Sequence, residues 1–224
     1  MATFDSFATN YQELVTRSIR VTGECPDYFA GYKAAYIAKR MVPQPARILD
    51  YGCGVGLLSN CLKRALPQAR VDGFDISEGS VREISGDLLR QGVFTTNTAE
   101  LLPEYDLIVL ANVLHHVEPN ERLSTIIQAV SRVAPSGKLL IFEHNPTNPL
   151  TRWAVSQCVF DEGVVLLPVR EIRRYLAQAG LSLVWRHYIV FFPKWLRMLR
   201  PLDPFLTWCP AGAQYVVVAR WCQS

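Results

Sequence analysis

The chain has 224 residues, half of them hydrophobic and 19% charged, with 23 Lys and Arg against 20 Asp and Glu for a net charge of +3. That length suits one globular domain with a sizeable core, and so slight a positive excess, spread along the chain, predicts no nucleic-acid partner. No apolar run reaches the roughly 18 residues of a spanning helix, "MATFDSFATN" has neither a basic leader nor a signal core, and the six cysteines lack CxxC spacing; these features predict a cytoplasmic protein with reduced thiols and no zinc site.

In chain order, residues 4–20 and 27–41 place Phe4, Phe7, Tyr11, Leu14 and Val15, then Phe29, Tyr32, Tyr36 and Ile37, at near-helical intervals. That spacing predicts two amphipathic helices joined around Gly23 and Pro26, the second stopped by Pro43 and Pro45. From Arg47 the pattern changes to short apolar runs, "RILDY", "RVDGFD", "GVFTT", "YDLIVLA" and "GKLLIFE", separated by helix candidates at 56–66, 78–90 and 120–133. The alternation predicts an α/β fold, a Rossmann-like doubly wound parallel sheet with helices on both faces. "YDLIVLA" and "KLLIF" show little polar alternation, as central strands covered on both sides should. A helix over 169–179 ends at Gly180. After it, "LSLVWRHYIVFF" and "AQYVVVARW" are expected to pair as an antiparallel hairpin carrying a long insertion.

Open parallel sheets bind ligands outside the carboxyl ends of their strands, and the first strand-to-helix turn is a usual place. Here that turn is "RILDYGCGVG", with glycines at 52, 54 and 56. The dinucleotide fingerprint would need a glycine at 57, which is leucine. A tight turn preceded by the acid Asp50 is poorly suited to a pyrophosphate and suits a ligand bearing an ammonium group. Nineteen positions past Gly56, the second strand ends at Asp75, whose carboxylate can accept both hydroxyl protons of an unphosphorylated ribose. An amino acid joined to a nucleoside satisfies both ends.

"ILDYGCGVGLLS", "VDGFDIS", "YDLIVLANVLHHV" and "GKLLIFEHN", in that order across residues 47–145, resemble the successive motifs of the class I S-adenosylmethionine-dependent methyltransferases. The resemblance implies strand order 3-2-1-4-5-7-6 with strand 7 antiparallel, and S-adenosyl-L-methionine as cofactor. It implies that Asp50 organises the methionine amino end and that Gly52, Gly54 and Gly56 admit the cofactor to the backbone. Asp75 would then hold the ribose, Ile76 pack on the adenine, and Asn97 or Thr98 accept the adenine amino group. Asn112, Val113 and Leu114 would line the sulfonium, and Tyr11 close over the cofactor. In this reading the chain is one methyltransferase domain: a helical cover (1–42), a cofactor-binding core (43–145), and substrate-side elements with the terminal hairpin (146–224), including the insertion 191–212.

The polar groups ending strands four and five, His115, His116, Glu143 and His144, are the candidates for a general base, with His116 or His144 favoured. Consecutive His115 and His116 point different ways on a helical turn, so at most one should face the pocket. "ANVLHHV" offers no carboxylate before Glu118, which argues against a catalytic magnesium ion. The expected acceptor is a small molecule, methylated on oxygen, nitrogen or carbon, with a glycan or lipid-linked metabolite suggested by residues 191–210. That stretch mixes Trp195, Leu196, Met198, Leu199, Phe205, Leu206 and Trp208 with Lys194, Arg197 and Arg200. It fits a lid or homodimer contact first, a peripheral membrane or lipid surface second, or a segment folded back on the sheet with no partner. A nicotinamide-dependent oxidoreductase and a non-catalytic cofactor-binding interaction protein of the same fold are the alternative functions.

Overall fold

The computed structural model describes residues 22–158 and 163–222; the helix expected over 4–20, with Tyr11, lies outside them. The first described helix, α1 (Pro26–Arg40), opens on a proline, whose missing N–H has no partner to lose at a helix start. The chain then runs β1 (Arg47–Tyr51), α2 (Leu57–Ala65), β2 (Arg70–Phe74), α3 (Glu78–Arg82), α4 (Gly86–Leu89), β3 (Phe94–Thr95), β4 (Tyr105–Ala111) and α5 (Arg122–Val130). It continues through β5 (Val133–His144), α6 (Pro149–Ser156), α7 (Val169–Gln178), β6 (Leu181–Ile189) and β7 (Gln214–Trp221).

All seven strands form one sheet in the order β3-β2-β1-β4-β5-β7-β6. The first five pair in parallel, and β7 runs antiparallel to both β5 and β6. This is the order, and the direction of the last strand, that the sequence resemblance implies. The unbroken apolar runs divide between two faces. Leu49, Ile108, Leu110, Leu139 and Ile141 pack with Ile126 and Ala129 of α5 and Ile172 and Leu176 of α7. Their neighbours Ile48, Leu107, Val109, Leu140 and Phe142 pack on the other side with Ala34 and Ile37 of α1 and Leu58 and Leu62 of α2. Each such side chain contributes roughly 1.5–3 kcal/mol through burial, so neither helix layer is dispensable. Among the described residues, no helix is long and apolar enough to cross a membrane.

Three expected elements change. The helix over 78–90 is two short ones: Ser77 Oγ accepts the Ser80 N–H at 3.0 Å to cap α3, and Ser85, extended at φ −61° and ψ 143°, interrupts the run before α4. The third strand shrinks to Phe94–Thr95. The proline-rich stretch after β5 holds an unexpected helix, α6, capped by the Asn148 side chain on Thr151 N with Pro149 as its first residue.

The turn before α6 also ties down the return of the insertion. Asn145, buried, donates from Nδ2 to Pro210 O at 2.8 Å and Gly212 O at 2.7 Å, and its Oδ1 accepts from Thr147 N and Oγ1. Asn148 Nδ2 donates to Ala211 O and Thr151 Oγ1 to Ala213 O. The "NPTNPLT" stretch is therefore a clasp for residues 210–213. Replacing Asn145 by Ala leaves Gly212 O without its donor and Thr147 N without its acceptor, while Thr147 Oγ1 still reaches Pro210 O at 3.1 Å, so Asn145→Ala is expected to cost about 2–4 kcal/mol. Urea unfolding checks this; a loss below about 1 kcal/mol would contradict the clasp.

Candidate functional site

A cavity of ≈ 1190 Å³ opens at the carboxyl ends of β1, β2, β4 and β5, under α1 and beside the start of β7. Its floor is the glycine turn. Gly52 N and Cys53 N both donate to Phe74 O, at 2.7 and 3.0 Å, which folds the turn over the end of β2. Gly52 has φ +85°, and a Cβ there would lie 2.4 Å from Val113 Cγ2; only glycine fits between the first and fourth strands. Gly52 and Gly54 line the cavity. Gly56 does not: it sits at φ +77° beneath Leu88 and Ile84, so it makes the bend into α2 instead of a ligand surface. Asp75 lies on the wall, its Oδ2 accepting Gly54 N at 2.7 Å and its Oδ1 accepting Ser77 N at 2.9 Å. Ile76 is 73% exposed at the edge of the same wall.

Asn97 and Thr98 are elsewhere. β3 stops at Thr95, Asn97 Oδ1 turns back to accept Ala99 N at 3.0 Å, and neither residue reaches the cavity. The side chain expected at the adenine is engaged here in a local cap.

Asp50, next to last in β1, is buried. Burial pushes its carboxyl up to about 6; the Ser59 hydroxyl, donating to Oδ2 at 2.7 Å, and Lys33 act against that, while Asp75 adds to it. Lys33 reaches the cavity from α1, 7% exposed, with its ammonium 6.0 Å from the centre of the Phe142 ring. Desolvation pulls it down to about 8 against the attraction of Glu143 and Asp50. Sequence reasoning missed Lys33, although its place beside Ala30, Ala34 and Ile37 on the buried stripe of α1 marks a charge facing inward.

At the other end, three imidazoles meet. His115 Nδ1 donates to Glu143 Oε2 at 2.6 Å, and Glu143 Oε1 accepts Leu114 N at 2.8 Å. The His115 ring lies 4.1 Å from that of His116 and 5.0 Å from that of His144, centre to centre. Asn112, at φ +61°, donates from Nδ2 to His144 Nε2 at 2.8 Å. All three histidines line the cavity, which corrects the expectation that only one of the consecutive pair faces it; the two occupy a tight 3₁₀ turn that the cavity wraps. Glu143 is fully buried behind His115 and off the cavity wall, where its carboxylate holds the His115 ring. Burial alone would raise its carboxyl, but His115, His144 and the Leu114 amide together hold it below the usual range. Among the described residues no group of three or more His, Cys, Asp or Glu side chains is disposed to hold a metal ion. Two buried acceptors, Asn112 Oδ1 and Gln214 Oε1, lie on cavity-lining residues without a hydrogen-bond partner in this structure, a cost that a ligand donor would remove.

A family model described as a methyltransferase domain matches residues 27–185. A trans-aconitate 2-methyltransferase of Variovorax paradoxus is 28% identical over 209 residues, covering 83% of this chain and 79% of that protein. A ubiquinone biosynthesis O-methyltransferase of Dechloromonas aromatica is 35% identical over 115 residues, 46% of this chain and 47% of its own. An uncharacterized Synechococcus protein matches over only 25% of its length, so against several curated relatives the chain spans half or less of the protein. Among solved structures, magnesium protoporphyrin IX methyltransferase from Synechocystis, crystallised with SAH, superposes with a TM-score of 0.66 at 21% identity over 97% of both chains.

The buried carboxylate generates a pH prediction. Asp50 has a folded value of about 6, above its ordinary 3.8. Below pH 4 it is protonated in both states and contributes nothing; from pH 4 to 6 the unfolded chain ionises first, and above pH 6 the folded state carries the full penalty. Asp50→Asn is therefore expected to stabilise the ligand-free protein at pH 8 by about 1–3 kcal/mol, with the gain fading toward pH 4. Urea unfolding at the two pH values measures it; a destabilised variant at pH 8 would contradict the assignment.

Proposed function

The chain belongs to the methyltransferase-domain family, and from that premise we propose that it moves a methyl group from S-adenosylmethionine to a small-molecule acceptor held beside the histidine cluster. The observation that carries the reading is the pair of buried opposite charges, Asp50 and Lys33, on one wall of the cavity. Each is costly alone. Among the described residues neither forms an ion pair, yet each feels the other's field. A zwitterionic amino-acid end offsets both costs, its ammonium beside Asp50 and its carboxylate beside Lys33. The Asp75 carboxylate on the wall serves the ribose hydroxyls, and Ile76 covers the base at the rim.

When bound, S-adenosylmethionine supplies an already activated methyl group on a sulfonium. The protein's contribution is then alignment, exclusion of water and, for a hydroxyl acceptor, removal of one proton. Because His144 Nε2 accepts a hydrogen bond from Asn112 Nδ2, His144 fixes the Asn112 side chain and its unpartnered Oδ1. His116 is the base, with the His115 ring against it and Glu143 holding His115 in place. Small-molecule methyltransferases among the relatives support an acceptor of this size, and the apolar wall formed by Phe191, Phe192 and Val165 favours one with an apolar part.

Two measurements test this. Calorimetry should show that Lys33→Met weakens binding of S-adenosylhomocysteine about 10- to 100-fold while leaving 5′-methylthioadenosine, which has no amino-acid end, unchanged. An equal loss for both ligands would refute the carboxylate contact. Transfer of labelled methyl groups from S-adenosylmethionine into a metabolite extract of the source cells should fall about 10²–10⁴-fold in His116→Ala with S-adenosylhomocysteine binding intact; undiminished transfer would remove His116 as base.

A further inference from the structure

The segment joining β6 to β7 is built inside out. Residues Lys194–Phe205 form 3₁₀ helix with a kink at Leu196, so residues three apart share a face. The face toward the protein carries Arg200 and Asp203. Arg200 pairs with Glu24, lies 4.3 Å over the Tyr28 ring, and donates from Nε to Phe192 O; Asp203, buried, meets Tyr32. These contacts tie the segment across the start of α1. The opposite face carries Leu199, Leu202 and Phe205, and the kinked start and the end add Trp195, Met198 and Trp208. Met198 is 84% exposed, Phe205 and Trp208 74% each, and Trp195 71%.

A strap that only needed to cover the cavity would turn these aromatics inward. Here buried polar anchors hold them outward, and the segment's exposed charges, Lys194 and Arg197 at the solvent-reaching start of the row that Arg200 and Asp203 anchor, are both cations. The one acid of residues 191–213, Asp203, is buried. Outward indole rings, a methionine and a phenylalanine flanked by cations match the headgroup zone of an anionic bilayer, where an aromatic ring buries its body and basic groups meet phosphate. The same segment is continuous with the cavity: Phe191, Phe192, Pro193 and Trp195 line it, and Leu150, 62% exposed, faces the same opening.

We propose that residues 194–208 dock the protein on an anionic lipid surface, with the cavity mouth turned toward the bilayer so that an acceptor with a lipid tail enters laterally. The docking step does not depend on the methyl-transfer reading, which S-adenosylhomocysteine binding reports separately.

Flotation of the full chain with vesicles tests it. The wild type should float with phosphatidylcholine vesicles containing 30% phosphatidylglycerol and bind pure phosphatidylcholine at least tenfold less. Met198→Ser/Phe205→Ser/Trp208→Ser and, separately, Lys194→Glu/Arg197→Glu should each lower partitioning at least tenfold while melting and binding S-adenosylhomocysteine as the wild type does. Failure of the wild type to float with the anionic vesicles, or undiminished flotation of the triple variant, would overturn the proposal. A dimer in sedimentation that the triple variant dissolves, without flotation, would overturn it in favour of a contact between copies.

Discussion

Two largely buried charges at the cavity wall organise this molecule. Asp50 and Lys33 approach the same cavity from β1 and from α1, on different elements and without closing on each other. Each raises the free energy of the empty fold, and the rest of the architecture is what keeps them in place. The core on one sheet face fixes α1 through Ala34 and Ile37, and the hydrogen bond from Ser59 of α2 fixes the carboxylate. Stability sacrificed at a ligand site is a common arrangement, because the ligand returns it on binding.

The sheet supplies the geometry. Parallel β1, β2, β4 and β5 end at one edge, and at two of those ends the backbone adopts positive φ, at Gly52 and Asn112. At β1 this bares the backbone; at β4 it swings an amide against His144 and leaves the following 3₁₀ turn free to present His115 and His116. The antiparallel β7 enters the same edge from the far side, so Gln214 at its start joins the wall. The long excursion between β6 and β7 is held at its middle, through Arg200 on Glu24 and the Tyr28 ring of α1, and at its return, by the Asn145 clasp.

Much of this was legible in the sequence where one physical signal dominated. Strands buried on both faces have no polar alternation, and "DYGCGVG" followed by Asp75 at its spacing leaves few other uses for a bare turn and an acid. Legibility failed where side chains had competing partners. Asn97 is a good cap as well as a good adenine acceptor, and in this fold its Oδ1 accepts the Ala99 amide, a choice the sequence does not announce. Glu143 and His144 are adjacent, but strand alternation sends one into the core and the other into the cavity, and the strand's exact phase is a tertiary property. Lys33 was hidden by its aromatic neighbours, which mark α1 as a core helix without saying that a charge sits among them. The composition of 191–210 was plain; that its polar residues face inward depends on Glu24, Tyr28 and Tyr32, more than 150 residues away in sequence.

The central claim is that the Asp50 carboxylate, held partly protonated by burial, becomes fully ionised when a ligand ammonium arrives. Titrating S-adenosylhomocysteine into the protein at pH 6 in two buffers of different ionisation enthalpy counts the protons exchanged. Net release of protons in the wild type, reduced in Asp50→Asn, is the predicted result. Tight binding with no proton released, or with the same release in the variant, would contradict it.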